Sequence, residues 1–338
     1  MKIGNFDLDQ DVLVVAEIGN NHEGSYALAE DIIGLAAKAG VGAVKFQTYK
    51  TEYYVSKKDK ARFNRLKSFE LTHTEFRKLS KVARSEGVLF LSTPFDIESA
   101  EFLDEIVSAY KISSGDNNFY TLIKRVAQTG KPIILSSGLA TLEQIKTAQS
   151  LIQQTWSCSG IRQELAILHC VTSYPVPPEE ANLAAIPRLK NELKCAVGYS
   201  DHTLGIDAAV LAVALGARII EKHFTINKNY SDFRDHQLSA DPHQMARLVA
   251  RIRQASRLLG TGEKVIQDSE KSMLTQARRS IVAKRNLAKG TVIEWNDISW
   301  IRPAEGLSPG QEHLVVGKAL ARTVKMGELL TPELLCEK

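Results

Sequence analysis

Two lysines interrupt short apolar runs: Lys45 sits between Val44 and Phe46, and Lys111 between Tyr110 and Ile112. A charge in such a run is expensive to bury unless it is paired or faces a polar cavity. Gln47 follows the first lysine, and Ser113 and Ser114 follow the second. Two ammonium groups among neutral donors suit a phosphate or a carboxylate, although lysines pointing outward to helix carboxylates would give the same pattern. His202 and His223 stand at the ends of two further apolar runs, Ala196–Tyr199 and Arg218–His223. If those runs are neighbouring strands about 4.8 Å apart, the two imidazoles can converge on one ion. No cysteine pair adds thiolates, so the site would be a nitrogen and oxygen one with open positions, suited to manganese, iron, cobalt, magnesium or catalytic zinc. Glu17 ends the first apolar run, where a carboxylate could act as a base, orient a water or stabilise developing positive charge.

The elements that must position these groups repeat in one order. Strand candidates are Val12–Ile18, Ala43–Gln47, Val88–Ser92, Ala109–Ile112, Ile133–Ser136, Leu165–His169, Ala196–Tyr199 and Arg218–His223. An amphipathic helix pattern follows each: Tyr26–Ala39, Thr74–Glu86, Ile97–Ile106, Tyr120–Gln128, Leu142–Gln154, Leu183–Asn191, Ile206–Leu215 and Pro242–Leu259. Strands as apolar as Leu13-Val14-Val15-Ala16 are buried on both faces, which means a parallel sheet covered by helices. Thr72 and Thr141 are set to cap helices, and Gly40, Gly87, Gly130 and Gly216 to end them. Eight strand–helix units over about 260 residues predict a closed (β/α)8 TIM barrel. A doubly wound sheet would show a GxGxxG turn after its first strand, and the turn here is Gly19-Asn20-Asn21-His22-Glu23-Gly24. The predicted organisation is a catalytic barrel over 1–260, a glycine- and charge-rich linker over 261–279, and a small β-rich module over 280–338. That module's strand candidates are Ser280–Ala283, Thr291–Ile293, Ile298–Ile301 and Leu314–Val316. The polar stretch Asn227–Asp241, with Arg234 and Asp235, is long enough to serve as a lid or substrate contact.

Composition narrows the class further. The chain has 338 residues, 44% of them apolar and 24% charged, an ordinary globular balance. A net charge of +4 does not require nucleic acid and is compatible with small anionic substrates. Four cysteines without CxxC spacing argue against a disulfide framework or a structural zinc site. No apolar run approaches the roughly 20 residues of a membrane span, and the N-terminus lacks a signal-peptide core. A soluble cytoplasmic protein is therefore expected.

Seven motifs, in order along the barrel, resemble the sialic acid synthase family. They are Val15-Ala16-Glu17-Ile18-Gly19-Asn20-Asn21-His22-Glu23-Gly24, Val44-Lys45-Phe46-Gln47-Thr48, Leu91-Ser92-Thr93-Pro94-Phe95, Tyr110-Lys111-Ile112-Ser113-Ser114-Gly115-Asp116, Pro132-Ile133-Ile134-Leu135-Ser136-Ser137-Gly138, Gly198-Tyr199-Ser200-Asp201-His202-Thr203 and Glu221-Lys222-His223-Phe224. The tail, with Val282-Ala283-Lys284, Ala288-Lys289-Gly290 and Ile301-Arg302-Pro303, is similar to the antifreeze-like SAF (β-clip) domain that ends these enzymes.

The resemblance implies condensation of phosphoenolpyruvate with an acylaminohexose aldehyde, giving a nine-carbon 2-keto sugar acid and phosphate through C–O cleavage. It implies a divalent metal, usually manganese or magnesium, on His202 and His223. Lys45, Thr93, Lys111, Ser114, Ser136 and Ser200 would hold phosphoenolpyruvate, with Glu17, Lys45 and Lys111 as catalytic groups. Gln47, Asp116, Tyr174 and Asp235 would face the sugar, and Arg302 would reach it from the other subunit of a domain-swapped homodimer. Asp116 stands where the family carries glutamate, and Thr172 where it carries asparagine. The loop Thr51–Glu70 is shorter than in the N-acetylmannosamine enzymes, and Ser231–His236 replaces a glycine–proline turn. These departures all touch the sugar side. N-acetylmannosamine is the first expectation for the acceptor, followed by a 6-deoxy-2,4-diacylamino hexose leading to legionaminic or pseudaminic acid. A metal-dependent pyruvate aldolase is the rival enzyme, and it would have no use for a phosphate clamp.

Overall fold

The computed structural model describes residues 1–336, so the last two residues of the expected 280–338 module lie outside the described residues. The chain opens with a hairpin the sequence reading did not anticipate, β1 (Lys2–Ile3) paired antiparallel with β2 (Phe6–Asp7). Gly4 makes the turn at φ +57, a left-handed conformation that glycine adopts without a Cβ clash. Then come β3 (Leu13–Gly19), β4 (Ala43–Thr48), β5 (Leu89–Pro94) and β6 (Tyr110–Ile112). They are followed by β7 (Ile133–Ser136), β8 (Leu165–Cys170), β9 (Ala196–Asp201) and β10 (Ile219–His223). These eight strands close into a barrel in the order β10-β3-β4-β5-β6-β7-β8-β9, every pair parallel.

Around it run α1 (Tyr26–Lys38), α2 (Thr51–Tyr54), α3 (Lys60–Phe69), α4 (His73–Ser85), α5 (Ile97–Leu103) and α6 (Tyr120–Ala127). The ring continues with α7 (Leu142–Cys158), α8 (Ala185–Leu193), α9 (Asp207–Ala214), α10 (Arg234–Leu238) and α11 (Pro242–Leu259). Thr72 and Thr141 each cap a helix through a reciprocal capping box, with Glu75 and Gln144. Helices α2, α3 and α10 fall where the sequence suggested loops, because α3 is strongly polar and the other two are too short to show a period.

The period of two in a strand divides the barrel's residues between two cores. Val14, Ala16, Val44 and Phe46 face outward and pack under the helices. Leu13, Val15, Ala43, Leu91, Ile134 and Ile219 face the lumen, where Met1, Ile3 and Leu8 of the hairpin region close its floor. Continuing each inward row by two residues leads to Glu17, Lys45, Thr93, Lys111, Ser136 and Glu221. The apolar floor and the polar mouth are thus successive layers of one packed interior.

The chain divides into two compact units, the first Met1–Gly260 and the second beginning at Thr261. Within the second unit, residues 261–279 carry a 3-10 turn and α12 (Leu274–Ala277). Then β11 (Ser280–Ala283) pairs antiparallel with β12 (Ile298–Ile301) over a separate core that includes Ile281, Leu287, Ile293, Leu320 and Val324. Of the other two expected strands, Thr291–Ile293 contributes only an isolated bridge, Val292 to Ala319. Leu314–Val316 instead begins inside a 3-10 turn, Glu312–Leu314, and continues as turn. Short β-type runs between glycines fit either outcome, so their composition could not choose. No helix among the described residues is long and apolar enough to cross a membrane.

Two glycines test this packing. A Cβ on Gly198 in β9 would lie 2.5 Å from both the Ile219 carbonyl oxygen and Leu168 Cδ2, whereas one on Gly34 in α1 meets nothing within 4 Å. Gly198→Ala is expected to destabilise the barrel by about 1–3 kcal/mol, and Gly34→Ala to stabilise it by about 0.5–1 kcal/mol. Urea unfolding of both variants measures the contrast, and equal shifts would contradict the packing described.

Candidate active site

A cavity of about 780 Å³ opens at the C-terminal ends of the barrel strands. At its base lie four buried charges. Lys45 Nζ is 2.8 Å from Glu17 Oε2 and 3.6 Å from Glu221 Oε2, and Lys111 Nζ is 3.9 Å from Glu221 Oε1. Hydroxyls complete the ring. Lys45 donates to Thr93 Oγ1 at 3.2 Å, Lys111 to Ser136 Oγ at 2.7 Å, and Ser200 Oγ to Glu221 Oε1 at 3.0 Å. Both lysines therefore face the lumen, and the alternative of outward lysines paired with helix carboxylates is set aside.

Burial and pairing pull these groups apart. Burial pushes the Glu17 carboxyl up to about 7; Lys45 opposes the rise and Glu221 adds to it. Glu221 also resists ionisation through burial, yet Lys111 and Lys45 together hold it down at about 2. Burial lowers Lys111, and it works against Lys45 too, but Glu17 and Glu221 outweigh it and raise Lys45. Two carboxylates therefore share two ammonium groups unequally, with pairing dominant at Glu221 and burial dominant at Glu17.

His202 and His223 meet above this ring, with ring centroids 5.6 Å apart. His202 Nδ1 lies 2.9 Å from the Val171 carbonyl oxygen, which can only accept, so Nδ1 is the donor and the ring's orientation is fixed. His223 Nδ1 is buried with no hydrogen-bond partner, and burial lowers the ring's pKa, favouring the neutral form. An unpartnered buried nitrogen beside a second imidazole fits a divalent cation. Among the described residues no group of three or more His, Cys, Asp or Glu is placed to hold a metal. Two nitrogens would then leave most of the coordination sphere to substrate oxygens and water.

The family assignment rests on this barrel and its tail together. The NeuB family matches residues 32–264, and the SAF domain matches residues 278–335. The chain belongs to the NeuB family. Among its relatives are N,N'-diacetyllegionaminic acid synthases from Campylobacter jejuni and Legionella pneumophila. Each is 37% identical over 94% of this chain, covering 98% and 92% of their own lengths. The crystal structure of an N-acetylneuraminic acid synthetase from Leptospira borgpetersenii superposes with a TM-score of 0.76 at 37% identity, covering 80% of this chain and 94% of that one. Like its NeuB relatives, the protein is a transferase of the sialic acid synthase type.

The rim of the NeuB cavity is built from loops. Asp116, which accepts from Ser113 Oγ at 2.5 Å and whose pKa burial raises, lines it with Gln47, Tyr174 and Asp235. Ser114 lines the same cavity, and its Oγ accepts from the Gly138 amide at 3.1 Å. The rim also holds Tyr54, Arg62, Arg65, Phe95 and Phe233, which the sequence reading did not single out. Arg62 and Arg65 share one face of α3 by their i, i+3 spacing, a signal visible only once a helix is recognised there. Glu221, given no role from the sequence, proves to be the central carboxylate of the charged ring. Asp201 pairs with Lys222 at 2.7 Å on the opposite face of its strand and lies outside the cavity lining. Arg302 is exposed on the SAF unit.

Removing Lys45 leaves Glu17 and Glu221 buried with one fewer counter-ion. Lys45→Ala is expected to lose about 3–5 kcal/mol of stability, and Lys45→Met combined with Glu17→Gln to recover most of it. Chemical denaturation at pH 8 measures both, and a single variant as stable as the parent would refute the buried pairing.

Proposed function

We propose that the NeuB cavity condenses phosphoenolpyruvate with the aldehyde of an acylaminohexose, releasing inorganic phosphate and a nine-carbon 2-keto sugar acid. One observation carries this reading: two buried ammonium groups, ringed by hydroxyls from separate strands, lie beneath two imidazoles in a single cavity. Phosphoenolpyruvate carries both phosphate and carboxylate, which accounts for two lysines where pyruvate would need fewer. Lys45, Thr93, Lys111, Ser114, Ser136 and Ser200 hold it. His202 and His223 hold a divalent cation, manganese or magnesium, which when bound polarises the sugar aldehyde as a Lewis acid.

The enol carbon C3 attacks the aldehyde carbon, a C–C bond forms as the carbonyl π bond breaks, and the resulting alkoxide oxygen takes the proton that Glu17 receives from water in the next step. Positive charge develops at C2, where the Glu17 carboxylate stabilises it. Water adds to C2 and gives its proton to Glu17. The tetrahedral intermediate then breaks the bond between C2 and the bridging phosphate oxygen, and the C2 hydroxyl proton leaves with the phosphate as hydrogenphosphate, so that the ketone remains.

For the acceptor, the rim favours the second of the two sequence expectations. Tyr54 and Phe95 stack with centroids 4.3 Å apart, and Leu66 and Phe233 extend this apolar wall of the cavity. A wall of that kind suits the C6 methyl and second acyl group of a 6-deoxy-2,4-diacylamino hexose better than the hydroxymethyl of N-acetylmannosamine, each buried carbon being worth about 0.8 kcal/mol. The names of the Campylobacter and Legionella relatives point the same way. Arg302 would complete the sugar site from a second copy in a domain-swapped dimer, a role resting on the family resemblance.

Phosphate release from phosphoenolpyruvate labelled with oxygen-18 at the bridging position tests the reaction. The label is expected in phosphate, and label retained in the ketose would defeat C–O cleavage. A panel of hexosamines with added manganese is expected to rank the diacylamino sugar above N-acetylmannosamine, and the reverse order would restore N-acetylmannosamine. Glu17→Gln is expected to lower kcat by about 10²–10⁴-fold with little change in phosphoenolpyruvate KM.

A further inference from the structure

His236, a fully buried histidine, has no part in the proposed chemistry. His236 belongs to α10, and the residues just before it, Asp232 to Asp235, line the cavity rim. Its Nε2 lies 2.9 Å from Glu23 Oε1 and its Nδ1 2.5 Å from Thr225 Oγ1. Ser231 Oγ donates to that same Glu23 oxygen and accepts from the Phe233 amide at 3.1 Å. A single carboxylate oxygen on the loop after β3 thus gathers both ends of the segment 231–236, which lies after β10.

Glu23 takes a left-handed conformation, φ +45, unusual for a residue with a side chain and suited to aiming the carboxylate. Asn21 bonds across the same seam, donating to the Phe224 carbonyl at 2.8 Å and to Ser239 Oγ at 3.0 Å. Phe233 is held edge-on between Phe69 of α3, 5.2 Å away, and the His236 ring, 6.0 Å away. The segment needs such anchors because α10 has five residues, too few to persist as a helix on its own. Of the groups proposed to hold phosphoenolpyruvate, Lys45, Thr93, Lys111, Ser136 and Ser200 sit on barrel strands and Ser114 in the 3-10 turn after β6, all outside this segment.

We propose that Glu23 and His236 are positioning residues that pin the 231–235 segment over the cavity and thereby set affinity for the acceptor sugar, independently of phosphoenolpyruvate. This rests on the reading that the rim faces the sugar. The test compares Glu23→Gln, His236→Gln and the double variant by two-substrate kinetics and by amide hydrogen exchange. Each single variant is expected to raise acceptor KM about tenfold or more while phosphoenolpyruvate KM stays within about twofold. The double variant should do no worse than the more affected single one, as expected for partners in one interaction. Exchange at the 231–236 amides should accelerate about tenfold or more with the barrel strands unchanged. Unchanged acceptor KM, equal rises in both KM values, multiplied losses in the double variant, or unchanged exchange would each overturn the pin. Should a buried variant fail to fold, Ser231→Ala removes one bond at the segment's edge. It is expected to raise acceptor KM several-fold alone, and no rise would equally overturn the proposal. If the parent protein releases no phosphate with any sugar, the proposed reaction fails, while the exchange measurement still decides whether the pin exists.

Discussion

The structure turns on a constraint of electrostatics: two ammonium groups and two carboxylates are buried at the base of one cavity, where none can be left alone. An isolated charge there would cost several kcal/mol even after relaxation. The barrel meets that cost by placing Lys45 between Glu17 and Glu221, and Lys111 beside Glu221 and Ser136. Pairing with Lys111 and Lys45 holds the Glu221 carboxyl low, while burial raises that of Glu17 against the pull of Lys45. A binding site for an anion and a titratable carboxylate thus arise from the same balance of burial against pairing.

That balance is possible because strands deliver side chains to the lumen at every second residue. The row that sets Leu13 and Val15 into the apolar floor brings Glu17 to the mouth, and the row of Ala43 brings Lys45. Between β3 and β4 the register shifts just past Glu17, at Gly19, where φ is +55. A Cβ at Gly19 would come within 3.2 Å of both Gln47 Nε2 and Glu17 Oε1, so glycine leaves room for those two side chains to bond. A bulge beside reactive groups re-aims them without disturbing the layer below.

This also explains what could be read from the residues alone. The eight barrel strands were legible because burial on both faces demands continuous apolar sequence, and a charge inside such a run marks a lumen position. Lys45 and Lys111 were found that way, and His202 and His223 by their places at strand ends. Arg62, Arg65 and Phe233 were not, because nothing in a polar stretch says which side chain will fold back over the mouth. The β1–β2 hairpin was missed for a related reason: two residues per strand are too few to show alternation, although Met1, Ile3 and Leu8 close the barrel floor. Tertiary packing, which no local pattern encodes, decided each of these.

The division between strands and loops has a chemical consequence. Groups proposed to act on phosphoenolpyruvate are held by the barrel's own hydrogen-bond ladder and by buried ion pairs, so their geometry is as rigid as the fold. The rim is held by side chains instead, such as the Thr51 hydroxyl on Glu70 at 2.8 Å and the Asn20 amide on Gln47 at 3.1 Å. Substitutions in such loops can reshape the rim while leaving the floor intact. A fold built in this way can keep one reaction while changing the sugar it accepts, and Asp116, Thr172 and Asp232 to Asp235 all lie on that changeable rim.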